Sequence, residues 1–511
     1  MLVHERLQQI SLRHPDKTAL ICCGRRLSYR DVDEMAGRLA NALLQKGVAR
    51  GDRVCILLPN SIEAVIGIFA ALKAGAAFVP IHYGVKSEKI DYILSDCEAT
   101  ALITDHKVLQ HGATSFLCRS GISLKALVVT GPAPELSWDN GQSMRFDQIQ
   151  ESCPALPRAP RCIDLDLACV VYTSGTTGKP KGVMCDHSGM LFAADSVIQY
   201  LESSSDDVVL NVLPIAFSYG LFQVITTFLS GGTLILETTF AYPVVLLQRI
   251  AQERVTGFPA IPTILASLLE MDFNPSAFST LRYMTNAAAA LPVCHIQELR
   301  ARLPWVKFYS MYGQTETKRT LYLPPEHVDK RPGSVGIAIP GTEVWIEDES
   351  GVRLGPCQVG ELVVRGRHLM RGYWRAPQET AERLRPGPVP GESTFRSGDL
   401  FRMDEDGYFY FIARKDDMIK SRGEKVAPRE VETVLHSYPG VTEAAVFGVP
   451  DPVLGEALKA VLVADAARVT RSRILAHCRA HLEDFMVPKY IEFREELPKT
   501  GSGKILKRAL L

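Results

Sequence analysis

Short runs of β-branched residues alternate with longer helical patterns through most of the chain before Gly333, and this alternation restricts the possible folds most strongly. A strand, a crossover helix and the next strand form a βαβ unit, which pairs its strands in parallel. We therefore predict an α/β fold with mostly parallel sheets. The predicted strands are Arg53–Leu58, Ala77–Ile81, Ala99–Thr104, Leu127–Val129, Ala168–Thr173, Val208–Val212, Thr233–Leu236 and Leu281–Thr285, and the predicted helices between them include Asp31–Lys46, Ser61–Ala74 and Pro243–Glu253.

The pattern changes after Gly333, where short strand-like segments separated by Gly and Pro turns predict an antiparallel β subdomain. A last block, from about Asp417 to Leu511, is long enough for a small α+β domain of its own. The β subdomain contains Glu343–Ile346, Gly360–Val364 and Tyr408–Phe411, and the last block contains a helix at Pro428–Ser437, strands at Val441–Val449 and Ala457–Val463, and a helix at Arg471–Leu482.

Charge and cysteine usage exclude several classes of protein. The 511 residues carry 57 Lys and Arg against 57 Asp and Glu, which argues against a protein that binds nucleic acid by bulk attraction. Glu5 and Arg6 interrupt the N-terminal segment, so we expect an amphipathic helix there and no signal peptide. The most apolar segment contains Lys73 and predicts a buried helix followed by a strand, with no transmembrane segment. The twelve scattered cysteines form neither a zinc pattern nor a disulfide framework, which favours a cytoplasmic location.

A glycine- and hydroxyl-rich loop after one predicted strand indicates polyphosphate binding. Glycine lets backbone N–H groups approach an anion, and hydroxyls and ammoniums supply further donors. The loop is not a Walker loop, because only two residues separate Gly175 from Gly178, and Pro180 follows Lys179 where Ser or Thr should stand. The candidate phosphate ligands are Thr173, Ser174, Gly175, Thr176, Thr177, Gly178, Lys179 and Lys181.

Together with five further motifs in the same order, this loop resembles the adenylate-forming superfamily of acyl-CoA synthetases and adenylation domains. The resemblance covers essentially the whole chain. It rests on Thr173–Gly182, Met311–Glu316, Ser397–Asp399, Ile412–Lys420, Gly423–Glu432 and Pro498–Lys507.

The resemblance implies a set of nucleotide ligands in the large domain. Tyr312 would stack on adenine beside Gly313, and Thr315 would donate to the α-phosphate. Glu316 would hold the Mg²⁺ that neutralises triphosphate charge, and Asp399 would accept both ribose hydroxyls. The remaining implied contacts are Arg414 for ribose and phosphate, and Asn286, Ala287 and Ala288 near adenine.

The resemblance also implies a catalytic lysine and two arrangements of the last domain. Lys504 would stabilise the charge that develops at the α-phosphate during attack by the carboxylate. The implied division is a domain at 1–413, a hinge at 414–416 that includes Asp416, and a mobile cap at 417–511. Gly423 would let a pantetheine chain approach, and Lys420 and Lys425 would contact the adenylate in the second arrangement.

The stretch Leu213–Leu221 corresponds to the motif that borders the carboxylate pocket of these enzymes. Amino-acid-activating relatives place an aspartate at the position of Ser218, and a neutral hydroxyl cannot offset the desolvation of a buried ammonium. We therefore expect a carboxylic acid without a nearby amino group. Phe217 stands where many acyl-CoA synthetases have histidine. The candidate pocket residues are Phe217, Ser218, Tyr219, Phe222 and Ala289, with Phe258 and Tyr283 as further candidates.

Two neighbouring cations, Lys318 and Arg319, follow Glu316 closely. We expect them on a solvated face, and the alternative is contact with a second carboxylate or a carrier phosphate. The surrounding stretches Leu281–Asn286 and Thr320–Glu326 also resemble acyl-CoA ligases associated with exosortase loci.

The leading hypothesis is a ligase that uses ATP and Mg²⁺ to form an acyl-adenylate and transfers the acyl group to CoA. The rival within the class is a stand-alone enzyme that loads an acyl or amino acid onto the phosphopantetheine of a carrier protein. Two further alternatives are a luciferase-like oxygenase and a degenerate nucleotide-binding protein. Glu316, Asp399 and Lys504 argue against the last of these.

Overall fold

Two large, mostly parallel sheets, a smaller antiparallel sheet and a separate C-terminal sheet make up the protein, as a computed structural model shows. The structure describes residues 1–110, 124–132, 137–138, 141–155, 160–174, 180–238, 243–287, 289, 291–421, 424–451, 455–465, 469–500 and 504–510. The fold is therefore α/β, as the alternation of strand and helix patterns predicts.

The helices, in chain order, are α1 Val3–Arg13, α2 Tyr29–Gln45, α3 Ile62–Lys73, α4 Ser87–Asp96, α5 His106–Gln110, α6 Phe146–Ser152, α7 His187–Leu201, α8 Ser218–Ser230, α9 Pro243–Gln252, α10 Pro262–Leu269, α11 Val293–Arg302, α12 Pro377–Arg383, α13 Pro428–His436 and α14 Arg471–His481. The strands of the two large sheets are β1 Thr18–Cys22, β2 Arg25–Ser28, β3 Arg53–Leu57, β4 Ala77–Ile81, β5 Ala101–Asp105, β6 Ala126–Thr130, β9 Met144–Arg145, β10 Leu167–Ser174, β11 Pro180–Asp186, β12 Val208–Asn211, β13 Thr233–Leu236, β14 Gly257–Ala260, β15 Tyr283–Asn286, β16 Lys307–Tyr312, β17 Leu321–Tyr322, β18 Ile337–Ala338 and β21 Gly372–Tyr373, with β7 Ser137–Trp138 and β8 Gly141–Gln142 forming a separate ribbon. The remaining strands are β19 Glu343–Glu347, β20 Val359–Arg365, β22 Leu384–Pro386, β23 Ser393–Met403, β24 Phe409–Arg414, β25 Ile419–Ser421, β26 Glu424–Val426, β27 Val441–Asp451, β28 Gly455–Ala464 and β29 Tyr490–Phe493.

The nine-stranded sheet has the order β18-β17-β16-β15-β14-β12-β13-β1-β2 and is parallel from β16 to β1. The eight-stranded sheet has the order β21-β11-β10-β4-β3-β5-β6-β9 and is parallel from β10 to β9. Because ligands of open parallel sheets bind beyond the carboxyl ends of the strands, the ends of β15 and β16 are the natural place for a site.

Helices between the two sheets bury the largest core. Phe69 of α3 contacts Phe228 of α8 with ring centroids 5.4 Å apart, and Tyr29 of α2 meets Phe228 edge-on at 5.8 Å. Full burial of one such ring contributes about 2 kcal/mol. Helix α2 starts with a capping box, because the Ser28 hydroxyl accepts from Asp31 N while the Asp31 carboxylate accepts from Ser28 N. The hydrophobic effect thus joins the two sheets, and local capping sets where α2 begins.

The antiparallel β subdomain and the C-terminal unit also have the predicted form. Strands β19, β20, β22, β23 and β24 pair antiparallel, and the C-terminal sheet has the order β26-β25-β28-β27 with β29 paired to β28. The C-terminal unit has its own core, which includes Val431, Leu435 and Ile474. Arg429 joins the unit to the main body, since its Nη1 donates to the Phe411 carbonyl at 2.8 Å.

The predicted element boundaries agree with the structure to within one or two residues, except that the strand predicted at Tyr408–Phe411 extends to Arg414. For example, Ala77–Ile81 and Thr233–Leu236 are strands as predicted, and the apolar segment that includes Lys73 is the helix α3 followed by the strand β4. Among the described residues, no helix is both long and apolar enough to cross a lipid bilayer.

Candidate active site

A buried carboxylate, Asp399, stands at the centre of the cleft beyond β15 and β16. Its Oδ2 accepts from Tyr312 Oη at 2.7 Å and from Gln314 Nε2 at 2.8 Å, and its Oδ1 lies 3.7 Å from Arg414 Nε. Asp399 and Arg414 are direct cross-strand partners in β23 and β24, so the sheet register places the cation beside the carboxylate. Burial raises the pKa of Asp399, whereas the Tyr312 hydroxyl, the charge of Arg414, the Gln314 amide and the charge of Lys504 act to lower it.

A glycine makes the turn that presents this carboxylate. Gly398 has φ +72°, and a Cβ atom there would lie 2.1 Å from Arg383 Nη1. Its N–H donates to Glu361 Oε1 at 2.9 Å. The left-handed backbone and the close guanidinium explain why Gly stands between Ser397 and Asp399.

Glu316 lies on the side of the cleft predicted to hold phosphate. Its Oε1 accepts from Tyr373 Oη at 2.7 Å, and burial together with the charge of Glu316 raises the pKa of Tyr373. Lys181 Nζ lies 5.6 Å from the centre of the Tyr373 ring and 3.9 Å from Glu379. Thr315 is half-buried next to Glu316. Lys181 on β11 and Glu316 on the loop after β16 therefore both lie beside Tyr373.

The hairpin β10-β11 carries the glycine-rich loop between its strands. Thr173 pairs with Lys181 and Ser174 with Pro180, so the loop starts and ends at the same edge of the sheet. Gly175, Thr176, Thr177, Gly178 and Lys179 lie outside the described residues, as do the side chain of Ser174 and all of Ala288 and Gly423.

Lys504 faces the same cleft. Withdrawal from water and the charge of Arg414 lower the pKa of its ammonium, and Asp399 and Glu316 act to raise it. Lys504 is exposed as a whole residue, and its ammonium interacts electrostatically with Arg414, Asp399 and Glu316. A lysine from the C-terminal unit thus shares one site with two carboxylates of the main body.

The chemistry of the donors fits a magnesium ion bound with a nucleotide. No group of three or more His, Cys, Asp or Glu side chains in the described parts of the chain could hold a metal alone. Mg²⁺ characteristically takes one or two protein carboxylates and completes its shell with phosphate oxygens and water. Glu316 is the carboxylate that would hold it. The Asn286 Oδ1 is buried and has no hydrogen-bond partner among the described residues.

The residues predicted to line the acid pocket begin helix α8. Phe217 stacks on His82 with ring centroids 5.0 Å apart, and Ser218 is the first residue of the helix. Tyr219 Oη lies 2.7 Å from Thr285 Oγ1 at the end of β15, and Phe222 is buried below it. Gly220 is required here, since a Cβ atom would lie 2.3 Å from the Pro214 carbonyl oxygen.

The other pocket candidates separate into two groups. Asn286 Nδ2 donates to the Ala289 carbonyl at 3.0 Å, with Ala287 buried and Ala289 exposed beside it. Phe258 and Tyr283 lie in the hydrophobic core between β14, β15 and the helices that cover them.

The expectation that Lys318 and Arg319 occupy a solvated face is wrong. Their exposed fractions are 2% and 4%. Lys318 has φ +60°, which turns the two side chains to different neighbours. Lys318 Nζ donates to the His368 carbonyl at 2.7 Å, whereas the Arg319 guanidinium lies over the ring of Tyr219. The charge pattern of the sequence could not reveal this, because the two side chains are buried against His368 and the start of α8, which are distant in the chain.

The predicted hinge residue Asp416 is exposed in a short 3-10 turn, Lys415–Asp417. Lys420 and Lys425 pair through their backbones across β25 and β26, and their side chains lie outside the described part.

Several residues that support the site are not evident from the sequence. Gln314 and Tyr373 donate to the two central carboxylates, and Glu361 positions Gly398. Gln314 lies in the variable position of its motif, so its neighbours in the motif were the only signal. Tyr373 is distant in sequence and reaches Glu316 only because β21 pairs with β11.

Comparison with known proteins gives matches along nearly the whole chain. A family model described as AMP-binding enzyme matches residues 7–374, and one described as AMP-binding enzyme C-terminal domain matches residues 430–504. A feruloyl-CoA synthase from Amycolatopsis sp is 37% identical over 498 residues, which are 96% of this chain and 95% of that protein. A long-chain-fatty-acid–CoA ligase from Bacillus subtilis (strain 168) is 31% identical over 538 residues, with 99% and 93% covered.

Solved structures give the same result in three dimensions. The crystal structure of ATP-bound MatB from Rhodopseudomonas palustris superposes with a TM-score of 0.89 at 28% identity. The match covers 100% of this chain and 98% of that one.

Proposed function

This chain belongs to the AMP-binding enzyme family, as an AMP-forming ligase of the acyl-CoA synthetase type, and we propose how its residues divide the reaction. Such a ligase activates a carboxylic acid with ATP and transfers the acyl group to CoA. The proposal assigns adenylation to one cleft formed by both parts of the chain. The observation that carries it is the buried Asp399, which accepts from Tyr312 and Gln314 beside Arg414 and also interacts electrostatically with Lys504.

In the first step, a carboxylate oxygen of the acid attacks the α-phosphorus of ATP, and the bond from that phosphorus to the pyrophosphate oxygen breaks. Lys504 stabilises the added negative charge on the α-phosphate oxygens, and Thr315 donates to one of them. Asp399 accepts from the ribose hydroxyls while Tyr312 and Gln314 orient it. When bound, Mg²⁺ neutralises triphosphate charge, and Glu316 would hold it.

In the second step, the thiol sulfur attacks the acyl carbonyl carbon, the bond to the AMP oxygen breaks, and the thiol loses its proton. We assign the chain a main domain at 1–413, a hinge at 414–416 and a cap at 417–511 that rotates between the steps. The turn at Asp416 is exposed at the junction of the two units, which suits it to that motion.

The substrate is a carboxylic acid, and CoA is the acceptor that we favour over the phosphopantetheine of a carrier protein. The similar feruloyl-CoA synthase and long-chain-fatty-acid–CoA ligase both bear names of CoA thioester-forming enzymes. Ser218 offers no charge for a substrate ammonium, which favours an acid without a nearby amine. The described cysteines are all free thiols, which suits the reducing cytoplasm, where we place the protein.

Release of pyrophosphate that depends on an added acid tests the first step. The purified chain is supplied with ATP, Mg²⁺ and a panel of acids, with CoA present or absent, and the thioester is identified by mass. We expect pyrophosphate release with a subset of acids and an acyl-CoA product when CoA is added. Thioester formation only on an added carrier protein, despite ample CoA, would favour the rival acceptor. Failure of every acid in the panel to cause pyrophosphate release would refute the ligase assignment.

A further inference from the structure

The Arg319 guanidinium is a buried cation beside the first turns of α8, and it has few partners among the described residues. The residue is 4% exposed, and within the described part its side chain makes one hydrogen bond, from Nη1 to the Lys318 carbonyl at 2.9 Å. Its Nε is buried and has no hydrogen-bond partner there. No ion pair joins it to a carboxylate of the described residues. A buried guanidinium normally has an anion beside it, because desolvation of an unpaired charge is costly.

The aromatic faces next to Arg319 offset only part of that cost. The guanidinium carbon lies 4.6 Å from the centre of the Tyr219 ring and 5.9 Å from that of Phe222. A ring face attracts a cation but does not accept the hydrogen bonds of Nε, so those donors still need an oxygen. Because no described residue supplies this oxygen, we consider an acceptor on a bound ligand.

The position of Arg319 identifies that source. Tyr219 and Phe222 lie in the first turns of α8, directly after Phe217 and Ser218, and Tyr219 Oη reaches Thr285 at the carboxyl end of β15. Arg319 follows β16 by a short loop, so it stands beyond the carboxyl ends of two parallel strands, where ligands of such sheets bind. Its backbone is also fixed there, since a Cβ atom on Gly313 would lie 3.0 Å from Arg319 Cα.

We propose that Arg319 is a specificity-determining residue that binds a second carboxylate on the acid substrate, so that this ligase prefers dicarboxylic acids. The proposal rests on the ligase function above. One carboxylate of the substrate is activated at the α-phosphate, and the other accepts from the guanidinium at the far end of the pocket. Arginine suits this role because its planar fork matches a carboxylate with two parallel hydrogen bonds.

Matched pairs of acids that differ only in the second carboxylate test the proposal. Aliphatic pairs such as hexanoate and adipate, at several chain lengths, and the aromatic pair benzoate and isophthalate are compared by acid-dependent pyrophosphate release. For the pair that fits the pocket, we expect kcat/KM of the diacid to exceed that of the monoacid by about 10²-fold, since a site built for a polar group discriminates strongly against its absence.

The variant Arg319→Met keeps most of the side-chain volume and removes the charge. We expect it to abolish the diacid preference while the KM for ATP stays unchanged, and its thermal unfolding midpoint is measured alongside. If it does not fold, Arg319→Lys serves instead, because it keeps the charge but loses the fork, and we expect the preference to fall about 10-fold.

Four outcomes would overturn the proposal. Equal use of both acids in every pair by the unchanged protein, or an undiminished preference in Arg319→Met, would refute the role of Arg319 and leave the ligase function standing. A preference for a neutral phenolic acid over both members of the aromatic pair would show that a hydroxyl, and not a carboxylate, is the partner. Absence of pyrophosphate release with any acid would refute the ligase function and this proposal together.

Discussion

The two sides of the cleft satisfy their charged groups in opposite ways. On the nucleotide side, Asp399 is surrounded by Tyr312, Gln314 and Arg414, and Glu316 accepts from Tyr373. On the acid side, Arg319 is almost fully buried with no carboxylate of the described residues beside it. A side chain that binds ATP in every turnover, as we propose for Asp399, can be oriented beforehand by hydrogen bonds from its neighbours. A side chain that selects among acids, as we propose for Arg319, leaves its donors unpaired until the ligand binds, which costs stability.

Substitution of Lys504, the lysine that we propose acts in adenylation, should give the largest effect. We expect Lys504→Ala to slow adenylate formation by about 10²–10³-fold, because it removes a donor to the charge that develops at the α-phosphate. Thioester formation from supplied acyl-adenylate should be retained. Single-turnover assays of each half-reaction measure the two effects.

Lys459→Ala is the matched control. This lysine lies on strand β28 of the same C-terminal unit, and its Nζ is 2.7 Å from Glu492 Oε2. It should leave both half-reactions unchanged. Equal loss of the two half-reactions in Lys504→Ala would contradict the assignment of this lysine to adenylation alone.

Asp399→Asn tests whether ATP binding and the preference among acids are independent. The change keeps the shape of the side chain but removes the charge that the ribose hydroxyls and Arg414 meet, and a hydrogen bond to a charged group contributes about 1.5–3 kcal/mol. We expect the KM for ATP to rise by about 10- to 10²-fold while the ratio of diacid to monoacid activity stays the same. Steady-state kinetics with ATP and with each acid as the varied substrate provide the measurement.

The exposed Asp329, which pairs with Arg300 on the surface, supplies the control Asp329→Asn. A change of acid preference in Asp399→Asn would mean that the two sides of the cleft are not independent.

The pH dependence of adenylation should report on Lys504. Because burial and Arg414 lower the pKa of its ammonium, it loses its proton at a lower pH than an ordinary lysine does. The protonated form is the active one, so the rate of adenylation should fall as pH rises through that lowered pKa. This decline at alkaline pH is the alkaline limb of the rate profile, and thioester formation from supplied adenylate should lack it.

Lys504→Arg provides the test of this assignment, since a guanidinium stays charged throughout the range. The limb should disappear in whatever adenylation activity the variant retains. Persistence of the limb in the variant would assign the titration to another group.

Tyr373→Phe should give the smallest effect on the nucleotide side. It removes one hydrogen bond to Glu316, whose net contribution is about 1 kcal/mol, so the half-saturating Mg²⁺ concentration should shift measurably, by about fivefold. The unfolding midpoint should stay close to that of the unchanged protein. No change in the Mg²⁺ dependence, with adenylation otherwise normal, would argue that Glu316 does not hold the ion.

The sequence predicts the α/β architecture and the strand and helix positions because hydrophobic periodicity is a local property. The runs at Ala77–Ile81 and Thr233–Leu236 are strands as predicted, and the antiparallel β subdomain appears where turn residues become frequent. The candidate ligands were found through motifs whose members lie close together in the chain, such as Tyr312 to Glu316. Their roles in the reaction remain proposals.

The partners of these ligands could not be predicted, since they come from distant parts of the chain. Tyr373 meets Glu316 through the pairing of β21 with β11, and Arg414 meets Asp399 through the register of β23 and β24. The burial of Lys318 and Arg319 could not be predicted from the sequence either. A pair of adjacent cations usually indicates a solvated surface, and only the packing of α8 over the loop shows that this pair is buried.

By itself, therefore, the sequence determined the type of fold, the order of the motifs and the class of reaction that those motifs resemble. The tertiary structure alone decided which charges are neutralised within the chain and which are left for a ligand. The physical reason is that periodicity and motif spacing depend on residues that are neighbours in the sequence. Desolvation and pairing of a charged side chain depend on every element that packs around it. Arg319 owes its proposed role to burial between elements that are far apart in the sequence.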